Sequence, residues 1–176
     1  MAITRLNHAV LYVRSVEESV RFYTEVLGFR PVERLSGFSG AAFLQASGST
    51  NDHDLGLFEV GSTAGDSQAG RGRVGLYHLA WEVDTLSALE AVAKALAARH
   101  ALVGTADHGT TKSLYGRDPD GIEFEVAWVV PADRLDAAAL EASKGVGRLD
   151  LEGEKARYGA DLEGGVGVSR AGAPAG

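Results

Sequence analysis

The histidines at positions 8 and 78 stand at the same place in two stretches of one plan, and this duplication limits what the chain can fold into more than any other feature. Setting His8 on His78, an offset of 70 residues, also matches Leu6 with Leu76, Val13 with Val83 and Ser15 with Thr85. Each stretch opens on an alternating apolar segment, LNHAVLYV (6–13) and YHLAWEV (77–83), with the period of a half-buried strand. Apolar residues at helical spacing follow, in VEESVRFYTEVLGF (16–29), ending at Gly28, and from Leu86 to His100. Ser15 and Thr85 then sit where a hydroxyl caps free amides. Three strand candidates complete each half: RPVERLS, AAFLQAS and DLGLFEV in the first, and segments near ALVGT, SLYGR and EFEVAWVV in the second. The expectation is an α+β fold of two βαβββ modules, 5–60 and 76–130, within a domain spanning 1–131.

Beyond that domain, Pro131 opens ADRLDAAALEASK, read as a helix ending at Gly145, and the remainder to Gly176 is rich in Gly and charge. This tail, 132–176, is expected to be mobile or to pack on a partner subunit. With no cysteine, disulfides, thiolate nucleophiles and sulfur-ligated zinc are excluded, so any metal sits on nitrogen and oxygen. A net charge of -7 disfavours a nucleic-acid partner. No apolar run approaches the ~20 residues of a membrane span, and the first residues lack a signal-peptide pattern. The expected location is the cytoplasm.

Side chains alternate across a strand, which puts His8 on a face with Val10 and Tyr12, and His78 on one with Ala80 and Glu82. Paired modules bring these histidines towards each other. A carboxylate from EFEVAWVV joins them, and parity leaves Glu123 and Glu125 equivalent. Two histidines and one carboxylate leave three adjacent positions open on an octahedral ion, the set that suits non-haem iron(II) and oxygen.

The segment DHGTTKSLYGRDPDGIEFE (107–125) resembles the signature of extradiol ring-cleaving dioxygenases in the vicinal oxygen chelate superfamily. That pattern is a histidine, a spacer, an aliphatic residue with tyrosine, an Asp-Pro-x-Gly turn and a glutamate. The resemblance covers residues 5–130. It implies a vicinal oxygen chelate fold, a cupped mixed sheet around the metal, and iron(II) held by His8, His78 and Glu125, with manganese(II) accepted by the same set. It assigns His108 and Tyr115 to the catalytic groups. It also maps His53, in NDHDLGLFEV, onto another active-site histidine. A catechol-type substrate and O2 are the implied reactants, and a semialdehyde-type acid the product. Larger members carry two such modules, so a homodimer or higher homo-oligomer is expected here. Three positions depart from the signature: Ala106, Ile122 after the turn glycine, and Asp52 before His53.

Other residues read as structural. His100 suits the last turn of a helix, where a cation meets the dipole. Trp81 and Trp128 lie on strand faces opposite the ligands and pack between sheet and helices, and Asp118-Pro119-Asp120-Gly121 is a tight turn that aims the strand carrying Glu125. The loop 61–75 lacks a phosphate-binding pattern. Two rival functions remain: a glyoxalase-like isomerase or thiol transferase with another divalent ion, and a metal-free protein that sequesters an aromatic ligand.

Overall fold

Both amphipathic segments begin where a hydroxyl meets a free amide. Ser15 accepts a hydrogen bond from the amide of Glu18 (3.3 Å), and Thr85 from that of Ala88 (3.1 Å), so the positions matched by the repeat perform the same task. The computed structural model describes residues 2, 3, 5–70 and 72–165. They fall into two units, Met1–Gln68 with Asp118–Ile122, and Ala69–Arg117 with Glu123–Gly176.

Unit 1 contains β1 (Ala9–Val13), α1 (Val16–Leu27), β2 (Arg30–Pro31), β3 (Ala41–Gln45) and β4 (Leu55–Glu59). Its sheet has the order β1-β4-β3-β2, with β1 parallel to β4 and the other pairs antiparallel. Unit 2 contains β5 (Leu79–Glu82), α2 (Leu86–Ala98), β6 (Leu102–Asp107), β7 (Thr111–Arg117), β8 (Glu123–Val129), α3 (Ala137–Ala142) and α4 (Leu151–Tyr158). Its sheet repeats the plan in the order β5-β8-β7-β6, with β5 parallel to β8. The fold is therefore α+β, with two four-stranded mixed sheets from two βαβββ runs.

In each unit the helix covers one sheet face. Helix α1 buries Ser19, Phe22, Tyr23 and Val26, and α2 buries Leu86, Leu89, Val92 and Leu96. Full burial of a leucine contributes roughly 1.5–3 kcal/mol, so the four apolar positions of α2 fix its rotation. On β1, Leu11 and Val13 are buried while Val10 and Tyr12 face outwards.

Three expectations are corrected. RPVERLS is a strand only at Arg30–Pro31; Val32 adds one more bond to the Phe43 carbonyl (2.8 Å), and the chain then turns into a 3-10 segment, Glu33–Leu35. His100 is not in the last turn of α2: the helix ends at Ala98, and His100 adopts a left-handed φ of 54°. The tail, where described, belongs to unit 2. Its residues bond to unit 2: Lys155 Nζ to Glu90 (3.1 Å), Ser87 N to the Ala160 carbonyl (2.9 Å), and Trp128 Nε1 to the Leu162 carbonyl (3.3 Å). The helix read from Pro131 to Gly145 is a 3-10 turn followed by the short α3, which Asp136 caps. Residues 166–176 lie outside the described residues. Among the described residues no helix is long and apolar enough to cross a membrane.

The turn Asp118–Ile122 belongs to unit 1 and contains a buried carboxyl. Tyr23 donates to Asp118 Oδ2 (3.1 Å), and the amides of Asp120 and Ile122 donate to Oδ1 (2.9 and 2.8 Å). Burial outweighs these bonds and lifts the Asp118 carboxyl to about 6. A folded-state value above the unfolded one means that the protonated group stabilises the fold below about pH 4, and that this contribution is lost as pH rises through 6. The rise from the ordinary carboxylate value to about 6 corresponds to about 3 kcal/mol. Asp118→Asn keeps an acceptor for both amides without the charge. Urea unfolding from pH 4 to pH 7.5 should therefore show a decline in the wild-type protein that the variant lacks, and equal slopes would refute it.

Candidate functional site

Strand β8 lies between β5 and β7, which places Glu125 level with Ala80 on one side and Tyr115 on the other. His78 immediately precedes β5, two residues before Ala80. Its Nε2 stands 3.1 Å from Glu125 Oε2, and both side chains are largely shielded, 24% and 14% exposed. The Tyr115 ring meets the His78 ring edge-on at 5.8 Å, and its hydroxyl lies 2.9 Å from His108 Nε2. Four of the six expected site residues, His78, Glu125, Tyr115 and His108, thus form one continuous group in unit 2. Glu123, on the same strand face, is engaged elsewhere, with Arg117 Nη2 at 3.0 Å.

Burial, with smaller contributions from Glu125 and Tyr77, raises the Tyr115 phenol above its ordinary range. The hydroxyl therefore keeps its proton at neutral pH. It donates to a bare His108 Nε2 or accepts from a protonated one, according to the tautomer.

The other two residues meet in unit 1. His8, exposed and directly before β1, donates from Nδ1 to Asn7 Oδ1 (2.7 Å), and its ring lies 4.5 Å from that of His53. His53 precedes β4, the parallel neighbour of β1. Its ring rests edge-on against Phe43 at 5.0 Å, and its Nδ1 is 3.1 Å from Asp52 Oδ2.

Two supporting residues escaped the sequence reading. Buried Asp54 accepts from Ala46 N (2.8 Å), Ser49 Oγ (2.7 Å) and Asn51 Nδ2 (2.7 Å). Asn51 Nδ2 also donates to the Asn7 carbonyl (2.7 Å), so it links the residue before His8 to the residue after His53. The polar run Asn51-Asp52-His53-Asp54 was their only sequence signal.

The residues of unit 2 fit a divalent cation in one respect that geometry decides. Donors at adjacent corners of an octahedron with bonds of about 2.1 Å are about 3.0 Å apart, close to the His78–Glu125 separation of 3.1 Å. A lone pair and a carboxylate at that distance need a proton or a cation between them. His78 Nδ1 is buried with no hydrogen-bond partner among the described residues. Among the described residues no group of three or more His, Asp or Glu side chains is gathered to hold an ion. The pair offers two donors, one nitrogen and one oxygen.

Comparison with known proteins agrees with this architecture. A profile of the Glyoxalase/Bleomycin resistance protein/Dioxygenase superfamily matches residues 5–126. A catechol-2,3-dioxygenase of Bacillus subtilis (strain 168) is 30% identical over 123 residues, 70% of this chain and 41% of that protein, so the chain spans about two fifths of its relative's length. A glyoxylase/bleomycin resistance protein/dioxygenase domain from Frankia sp. EAN1pec superposes with a TM-score of 0.58 at 25% identity, covering 72% of this chain and 92% of that one. The fosfomycin resistance protein FosX of Listeria monocytogenes, solved with Mn(II) and sulfate, shares the fold with a TM-score of 0.50 at 18% identity, over 72% and 93% of the two chains. The duplicated βαβββ plan and the matched span together show that this chain belongs to the Glyoxalase/Bleomycin resistance protein/Dioxygenase superfamily.

Proposed function

We propose that the protein is an iron(II)-dependent extradiol dioxygenase that opens a catechol-type ring with O2 to a semialdehyde-type product. His8, His78 and Glu125 are the ligands in this reading. The observation that carries it is the His108–Tyr115 contact at 2.9 Å, with the Tyr115 ring against His78. An isomerase of the same superfamily has use for the ligands but not for a phenol and an imidazole coupled beside them. The name of the Bacillus relative supports the same reading. Manganese(II), present in the Listeria protein, is accepted by the same nitrogen and oxygen donors.

When bound, iron supplies a route past the spin restriction on direct reaction of a catechol with O2, by binding both. The chain's own residues do the rest. Tyr115, protonated at neutral pH, donates a hydrogen bond to a substrate oxygen as charge develops there. His108, at hydrogen-bond distance from that hydroxyl, takes up or returns the proton. His53, fixed by Asp52 and Phe43, is assigned as a second acid–base group.

The test is anaerobic reconstitution with iron(II), addition of substituted catechols, then admission of oxygen. A yellow ring-fission product should form with one O2 consumed per ring opened. No absorbance change across the panel would end the assignment.

A further inference from the structure

We propose that the C-terminal segment 131–165, which lies beyond the residues matched to the superfamily, is a clamp that positions His108. The functional half of this inference rests on the reading of His108 as an acid–base group.

The clamp begins at a buried charge. Lys112 sits on β7 on the face of Leu114 and Gly116, opposite Tyr115, and its side chain is 1% exposed. Its Nζ is 2.6 Å from Asp107 Oδ1, 3.0 Å from Glu154 Oε2 on α4, and 5.9 Å from the centre of the Tyr158 ring. A buried ammonium persists only where carboxylates compensate it, and here one of the two comes from the tail. Asp107 Oδ1 also accepts from the Gly109 amide at 2.7 Å. A continuous chain of contacts therefore runs from Glu154 through Lys112 and Asp107 to Gly109.

Two further parts of the tail reach the same turn. Asp107 and Gly147 exchange backbone bonds, Asp107 N to the Gly147 carbonyl (3.0 Å) and Gly147 N to the Asp107 carbonyl (2.7 Å). Gly109 has a φ of +73°, and a Cβ built on it falls 2.2 Å from the Ala139 carbonyl oxygen and 2.5 Å from Ser143 N, so α3 rests on its bare backbone. His108 is the residue between these two held neighbours, and its amide bonds to the Thr111 carbonyl at 3.0 Å.

A tail that only covered the sheet would be complete with its bonds to Glu90, Ser87 and Trp128. The contacts from α3, Gly147 and α4 instead converge on the two residues flanking His108. They fix the backbone from which the imidazole reaches Tyr115. Lys112, Glu154 and Gly147 are thus positioning residues.

The test uses the full chain with Glu154→Gln or Gly147→Pro, substitutions in the tail that leave residues 107–111 intact. Gly147→Pro removes an amide rather than a charge partner, and carries the test if Glu154→Gln does not fold. Histidine-labelled protein is read by NMR, and iron-loaded protein by steady-state ring cleavage. The His108 ring signals should shift and broaden while those of His100 stay in place. In cleavage, kcat should fall about tenfold, part of the ~10²–10⁴-fold a positioned acid–base group supplies, with KM for catechol nearly unchanged. His108 signals that stay fixed in a folded variant overturn the clamp, as does an unchanged kcat where they move. The NMR arm needs no activity, so wild-type protein inactive on catechols would overturn the ring-cleavage reading alone.

Discussion

Replacing His78 with alanine is expected to weaken iron(II) binding by more than about 100-fold, because changes even to groups that merely orient a ligand cost 10–100-fold in affinity. The structure gives two reasons for choosing this residue. Among the described residues, His78 is the imidazole of unit 2 that stands beside Glu125, at 3.1 Å. Its removal leaves a largely shielded carboxylate with neither proton donor nor second ligand. Tyr115→Phe and His108→Ala should behave differently. Neither deletes a donor of the His78–Glu125 pair, so both should retain the ion while turnover falls by about 10²–10³-fold, the loss of one hydrogen-bond donor or one acid–base group. Anaerobic equilibrium dialysis against iron(II), run beside oxygen uptake, separates the two patterns. Binding that is indifferent to His78→Ala would show that the ligands are wrongly chosen, and iron lost from Tyr115→Phe would show that the phenol acts on the metal site and not on substrate.

The features legible in the sequence were those with a period. Alternation located β1, β3, β4, β5, β7 and β8 to within a few residues, and the offset that matched His8 with His78 also matched the two caps that start α1 and α2. Strand parity placed Glu123 and Glu125 on one face and could go no further. The structure separates their surroundings, Glu123 beside Arg117 and Glu125 beside His78, through lateral register that a single strand does not encode. Alternation also overran at RPVERLS, where the chain leaves the sheet after Val32 and enters a 3-10 turn. The tail has no such period: its composition is polar, and its charges are partners of specific groups of unit 2. Parity puts Lys112 with Leu114 and Gly116 on the helix-facing side of β7, and a lysine buried there is a demand for carboxylates.

That demand makes Lys112→Met the largest expected change in stability. Methionine keeps most of the stem and volume, so a cavity contributes little. What is lost is the positive charge between Asp107 Oδ1 and Glu154 Oε2, at 2.6 and 3.0 Å. Removing one partner of a buried ion pair costs about 3–5 kcal/mol, because the remaining charge is left unsolvated. Here two carboxylates lose their lysine, but Asp107 keeps the Gly109 amide and Glu154 keeps Arg157 Nη1 at 4.0 Å, and with side chains 20% and 13% exposed the expected loss is about 3 kcal/mol. Adding Glu154→Gln to Lys112→Met should then restore stability, since it removes one stranded charge, whereas Glu154→Gln alone should destabilise. This reversal of sign is a coupling that a cavity or a helix-propensity effect does not produce. Urea unfolding of the four proteins at pH 7 measures it. Additive losses would mean that the Glu154 and Lys112 charges act independently, and that α4 is held by its contacts with α2 and Trp128 alone.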